Sequence, residues 1–213
     1  MKFQNGETLT LNNVCYHIKE RLGRGAVADA YLAQLDGTDD AHVVIKVVRD
    51  DEADDPSKAE ALQCEADTLV TLNQAEDPEW SAQATVWARF RRAQQTTLRR
   101  QVIALLDAGE IAPGQPYVVQ EVAPPAFERF DVQTLANEAQ MLKIAQAALD
   151  VVALAHHQGL SLKDFEPGTK GDRFRLQWLD AEQQTFSLKV IDWNITGGPE
   201  LMVQDLFLSL IHI

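Results

Sequence analysis

The sequence predicts an α+β chain, with a five-stranded antiparallel sheet and one helix in its first half and a mainly helical second half. Three patterns predict it. Short stretches carry apolar residues at every second position between glycine and proline turns, longer stretches carry them at three- and four-residue spacing, and the strands come first with the longest helix late. The 213 residues, 46% hydrophobic and 24% charged, suffice for one globular domain or slightly more and exclude a disordered or collagen-like chain.

Val14, Tyr16 and Ile18 alternate along a first strand, Gly23-Arg24-Gly25 makes the turn, and Tyr31 and Leu32 mark a second strand. After Asp36-Gly37, residues 42–48 (HVVIKVV) form a β-branched third strand with one charge, Lys46, in its middle. Five acids in the six positions 50–55 read as a solvated loop with no site, and Pro56-Ser57 opens a helix reaching about Leu72. On that helix Leu62, Leu69 and Leu72 share a stripe, and Glu65 lies on it.

Residues 74–100 read as an inserted helical segment, where Arg89, Arg91, Arg92, Arg99 and Arg100 make one basic patch, expected to be a solvated helix face. Residues 101–106 and 117–122 flank the turn Pro113-Gly114 as the last two strands, and Pro124-Pro125 ends the sheet. A long helix spans about 135–156, with Leu135, Leu142, Ala145, Leu149 and Val152 on one stripe and Gly159 as its stop. Phe174-Leu176-Trp178 and Phe186-Leu188-Val190 alternate around a polar turn at 180–184, so they should pair as a hairpin with their outer ends together.

Composition narrows the function. Acids outnumber bases 32 to 19, giving a net charge of −13, the wrong sign for a nucleic-acid surface. The only cysteines, Cys15 and Cys64, form no metal or disulfide pattern, the first residues have no apolar leader, and no apolar run approaches a membrane span. A cytoplasmic setting is expected, with no nucleic-acid partner and no membrane segment in this stretch of chain.

Three constellations carry chemistry. Lys46 in an apolar strand and Glu65 on an apolar helix stripe are each costly to bury alone, so each is the other's natural partner. Gly23-x-Gly25-x-x-Ala28 lies between two strands rather than between strand and helix, which removes its dinucleotide meaning but suits a turn whose backbone N–H groups cover phosphates. Asp164 follows the long helix and Asp192 follows the hairpin, whose pairing brings both segments to one edge, as a metal-assisted site requires.

The glycine turn, Val43-Val44-Ile45-Lys46, Glu65, Asp164 and Asp192, in that order, resemble the eukaryotic-like (bacterial-type) Ser/Thr protein kinase family over about residues 14–207. The resemblance implies an N-lobe at 1–123 with a helical insertion at about 74–100, and the start of a C-lobe at 124–207. It implies ATP and Mg²⁺, with Lys46 on the α- and β-phosphates and paired to Glu65, and with Gly23, Gly25 and Ala28 over the phosphates. Gln120 to Ala123, Glu121 included, would be the adenine-binding hinge, Asp164 the catalytic base towards a protein or small-molecule hydroxyl, and Asp192 the metal ligand.

Departures from the family pattern keep three readings open: a working Ser/Thr kinase, a nucleotide-binding pseudokinase, and a small-molecule kinase, whose D-W ending Asp192-Trp193 resembles. Glu166 stands where Ser/Thr kinases place a Lys near the γ-phosphate, though Lys163 or Lys170 could compensate. The second metal ligand falls on Thr169 or Asp172 according to how an insertion is counted, and Gly198-Pro199-Glu200 follows so soon after Asn194 that almost no activation segment remains. The last six residues, 208–213, resemble the translation of a transposase adapter from library preparation, so they are expected to be non-native and the kinase lobe to continue beyond Phe207.

Overall fold

A computed structural model describes residues 2–37, 40–52, 55–123, 128–129, 138–160, 174–180, 185–191 and 193. The chain divides into two compact units, the first from residues 1–67, 82–94 and 104–122, the second from 68–81, 95–103 and 123–213.

The first unit is an antiparallel sheet of six strands, one more than expected: β1 (Thr8–Leu11), β2 (Val14–Arg24), β3 (Ala28–Leu35), β4 (His42–Val48), β5 (Leu105–Ala112) and β6 (Gln115–Glu121). Their order is β1-β2-β3-β4-β6-β5. The unforeseen strand is β1, and its cause is local. Leu11 pairs with Val14 across Asn12-Asn13, whose φ angles of 44° and 62° make the left-handed two-residue turn that twists with a hairpin. Asn tolerates that region better than any residue except Gly. Asn13→Gly should therefore leave the urea midpoint unchanged or raised, whereas Asn13→Val should cost roughly 1–2 kcal/mol; equal midpoints for the two variants would refute the turn assignment.

Strand β5 starts at Leu105, not at residue 101, because the backbone of 101–103 is bonded elsewhere, as described below. Pro113-Gly114 does make the β5–β6 turn, with Gly114 at φ 76°. Tyr16, Ile18, Tyr31, Ala33, Leu35, Val43, Ile45, Val47, Tyr117 and Val119 form one continuous core on the sheet. Helix α2 (Val86–Thr96) inserts Val86, Phe90 and Ala93 into it, at four- and three-residue spacing.

Helix α1 (Pro56–Glu76) opens as expected, with the Ser57 N–H donating 2.9 Å to the Asp55 carboxylate as its cap. It extends one turn past Leu72 and passes from the first unit into the second. Glu65, Leu62, Leu69 and Leu72 are all buried, as their shared stripe requires.

The second unit contains the end of α1, helix α3 (Glu138–His157), and a three-stranded sheet of β7 (Glu128–Arg129), β8 (Phe174–Asp180) and β9 (Thr185–Val190). Strands β8 and β9 pair antiparallel with Phe174 opposite Val190, the register expected from their alternation. Helix α3 stops where Gly159 takes φ 74°: its N–H bonds the His156 carbonyl and the Leu160 N–H reaches back to Ala155, a Schellman closure.

The buried face of α3 differs from the expected stripe. Ile144, Ala148, Val151, Val152 and Ala155 are buried, Ala145 and Leu149 only partly, and Leu142 is 62% exposed. Apolar residues surround most of this helix, so two stripes roughly 100° apart compete and periodicity alone cannot choose between them. Leu135 lies outside the described residues. Among the described residues, no helix is long and apolar enough to cross a membrane.

Candidate functional site

Strand β4 pairs with β3 and β6 on either side, placing Lys46 opposite Ala30 and Val118. Small and β-branched neighbours flank the lysine on both sides, and the residue is only 7% exposed. Its Nζ donates to Glu65 Oε1 at 2.7 Å, and the two side chains are 8% and 5% exposed. The structure brings this expected pair together as a largely buried ion pair, where the low dielectric strengthens the attraction.

Gly23 pairs with Ala30 and Arg24 with Asp29, so the glycine turn is the tip of the β2–β3 hairpin. Gly25 donates its N–H to the Ala28 carbonyl at 2.9 Å. A Cβ at Gly25 would stand 3.1 Å from that same oxygen, whereas one at Gly23 would meet nothing within 4 Å. Tight approach therefore explains the second glycine, and the first leaves the backbone open on its outer side.

The acidic run is no bystander. Arg24 pairs with Asp51, Arg49 Nε donates 3.0 Å to the same carboxylate, and Arg49 Nη1 reaches the Gly25 carbonyl at 3.3 Å. The Arg49 guanidinium holds the Asp51 carboxyl down at about 2. Asp51 thus ties the glycine turn to the end of β4, a link that composition alone disguised as a charged loop.

At the far end of β6, Glu121 is turned inward. Its N–H donates 2.9 Å to the Ala104 carbonyl while its Oε1 accepts the Ala104 N–H at 3.0 Å. Both interactions lock the segment expected to be the hinge, and Gln120, on the same sheet face as Lys46, is 4% exposed. Ala123, just past the strand, is half-buried.

The basic patch dissolves. Arg91 and Arg99 are exposed, but the Arg89 side chain is 10% exposed beside Asp107, and Arg100 is 3% exposed with Nε donating 2.8 Å to Thr96 Oγ1. Charges were countable in the sequence; the faces that bury two of them were not. Asp164, Glu166, Thr169, Asp172 and Asp192 lie outside the described residues, as does the 208–213 tail. Among the described residues, no three His, Cys, Asp or Glu side chains gather as a metal site.

No family model matches the sequence. The fold matches solved protein kinases: vaccinia related kinase 3, with a TM-score of 0.54 at 11% identity over 91% of this chain and 52% of that one. The BubR1 kinase domain matches with a TM-score of 0.53 at 15% identity, over 94% of this chain and 53% of that one. The chain has the protein-kinase fold and spans about half the length of these two structures.

Proposed function

We propose that this chain binds ATP with Mg²⁺ and belongs to an enzyme that transfers the γ-phosphoryl group to a Ser or Thr hydroxyl. The buried Lys46–Glu65 pair carries the reading. A buried ion pair is a poor source of stability, since apolar residues of similar volume usually serve as well or better. A lysine fixed by a carboxylate in an apolar strand beneath a glycine turn is instead suited to hold phosphate oxygens.

In the proposed reaction the substrate hydroxyl oxygen bonds the γ-phosphorus, the bond from that phosphorus to the β,γ-bridging oxygen breaks, and ADP leaves with the electron pair. Asp164 accepts the hydroxyl proton. Asp192 would hold Mg²⁺, which neutralises charge on the phosphates. Lys46 fixes the α- and β-phosphates, the N–H groups around Gly23 and Gly25 cover them, and the 120–123 backbone receives the adenine.

A second reading, a nucleotide-binding scaffold without catalysis, is favoured by Glu166, whose charge would repel the phosphoryl group. A thermal shift with Mg-ATP followed by radiolabelled phosphate transfer separates the two. Transfer by the wild type, reduced at least 100-fold in Asp164→Asn with binding retained, is the expected result. Binding without transfer would establish the scaffold, and normal turnover in Asp164→Asn would remove the base assignment.

A further inference from the structure

The last turn of α1 holds a stretch of backbone that in turn holds β9. The Glu76 carboxylate accepts the Gln101 N–H and, at 3.1 Å, the Val102 N–H. One turn earlier on the same helix, the fully buried Asn73 donates 3.0 Å from Nδ2 to the Ile103 carbonyl. Residues 101–103 are thereby each held through a backbone group, two by their N–H and one by its carbonyl.

That stretch passes the grip on. Val190, the last residue of β9, donates 2.7 Å to the Gln101 carbonyl and accepts from the Ile103 N–H at 3.3 Å, forming a parallel bridge with Val102. Ser187 Oγ donates 2.9 Å to the Leu98 carbonyl, and Lys189 Nζ, in a fully buried side chain, donates 3.4 Å to the Arg100 carbonyl. Trp193 Nε1 closes the end of the strand with a 3.0 Å bond to the Val190 carbonyl. Burial raises the Glu76 carboxyl, while the two N–H donors and the Arg100 and Lys189 charges pull it back. All of these groups belong to the second unit.

We infer that Glu76 is a positioning residue: by gripping residues 101–103 it fixes the end of β9, whose last residue, Val190, stands two positions before Asp192 in the chain. The inference rests on the nucleotide reading above, which gives Asp192 to Mg²⁺. Partners that orient a metal ligand without touching the metal commonly change metal affinity 10- to 100-fold when removed.

The test compares wild type, Glu76→Gln and Glu76→Ala in a Mg²⁺ titration of ATP binding, with ATP binding in EDTA as reference. In Glu76→Gln, which keeps the shape and loses the charge, the half-saturating Mg²⁺ concentration should rise roughly tenfold, with a larger rise in Glu76→Ala. Binding in EDTA should not change, and the Val190 amide should exchange its hydrogen at least about tenfold faster. A merely structural loss would weaken binding equally with and without Mg²⁺. An unchanged Mg²⁺ midpoint in Glu76→Gln, with a wild type that binds Mg-ATP, would overturn the inference while leaving the function intact. A wild type that binds no ATP would overturn the nucleotide reading and the metal role together, and unchanged Val190 exchange in Glu76→Gln would overturn the grip by itself.

Discussion

Lys46→Met is expected to weaken Mg-ATP binding roughly 30-fold or more and to destabilise the first unit by roughly 3–5 kcal/mol. The first figure follows from losing a desolvated charge contact, worth about 2 kcal/mol or more. The second follows from what stays behind. Glu65 is 4% exposed and would keep a buried carboxylate with no ammonium 2.7 Å away. Single substitutions therefore confound folding with function at this site.

Combining Lys46→Met with Glu65→Leu separates them. Both charges are then gone, volumes are nearly kept, and stability should return to within about 1 kcal/mol of wild type or exceed it. Nucleotide binding should remain lost. Urea melts give the first quantity and ATP titration the second. A double variant that binds Mg-ATP as wild type does would end the assignment of Lys46 to the phosphates, whatever its stability.

The sequence revealed features whose cost is local. Lys46 and Glu65 were legible because a single charge in an apolar strand and a single acid on an apolar stripe each demand an explanation before any fold is known. The β8–β9 hairpin was legible because two alternating runs fix a register. What escaped depends on distant backbone. Strand β1 has only four residues and hinged on reading Asn12-Asn13 as a turn. Glu76 lies past the last leucine of its stripe, so periodicity gave no reason to extend the helix to it, and its partners are 25 and 26 positions away. The exposed Leu142 and the buried Arg89 err for one reason: side-chain periodicity marks a face, while packing chooses which face is covered.

Asp107→Ala should cost about 3–5 kcal/mol, although Asp107 is remote from Lys46 in sequence and belongs to no expected site. Its carboxylate accepts Tyr117 Oη at 2.9 Å and Asn12 Nδ2 at 3.0 Å, and Arg89 Nη2 lies 3.9 Å away. Burial and the Asp107 charge push the Tyr117 and Tyr16 hydroxyls upward, so both stay protonated, and Tyr117 can donate throughout the physiological range. Burial disfavours the Arg89 charge and leaves the guanidinium shifted downward, with the Asp107 charge first among the groups that offset part of that effect. A 3.9 Å pair on the surface would contribute little, but these side chains are 10% and 5% exposed and water screens them weakly. Removing the carboxylate strands a guanidinium under α2, whereas Arg89→Met leaves Asp107 with two donors and should cost less. Adding Arg89→Met to Asp107→Asn should then recover stability relative to Asp107→Asn alone, with a coupling of at least about 1 kcal/mol across the cycle. Urea midpoints of the four proteins measure it. A coupling below about 0.5 kcal/mol, the limit of simple additivity, would mean that α2 is held on the sheet by its apolar side chains, Val86, Phe90 and Ala93 with Trp87 beside them, and not by this ion pair.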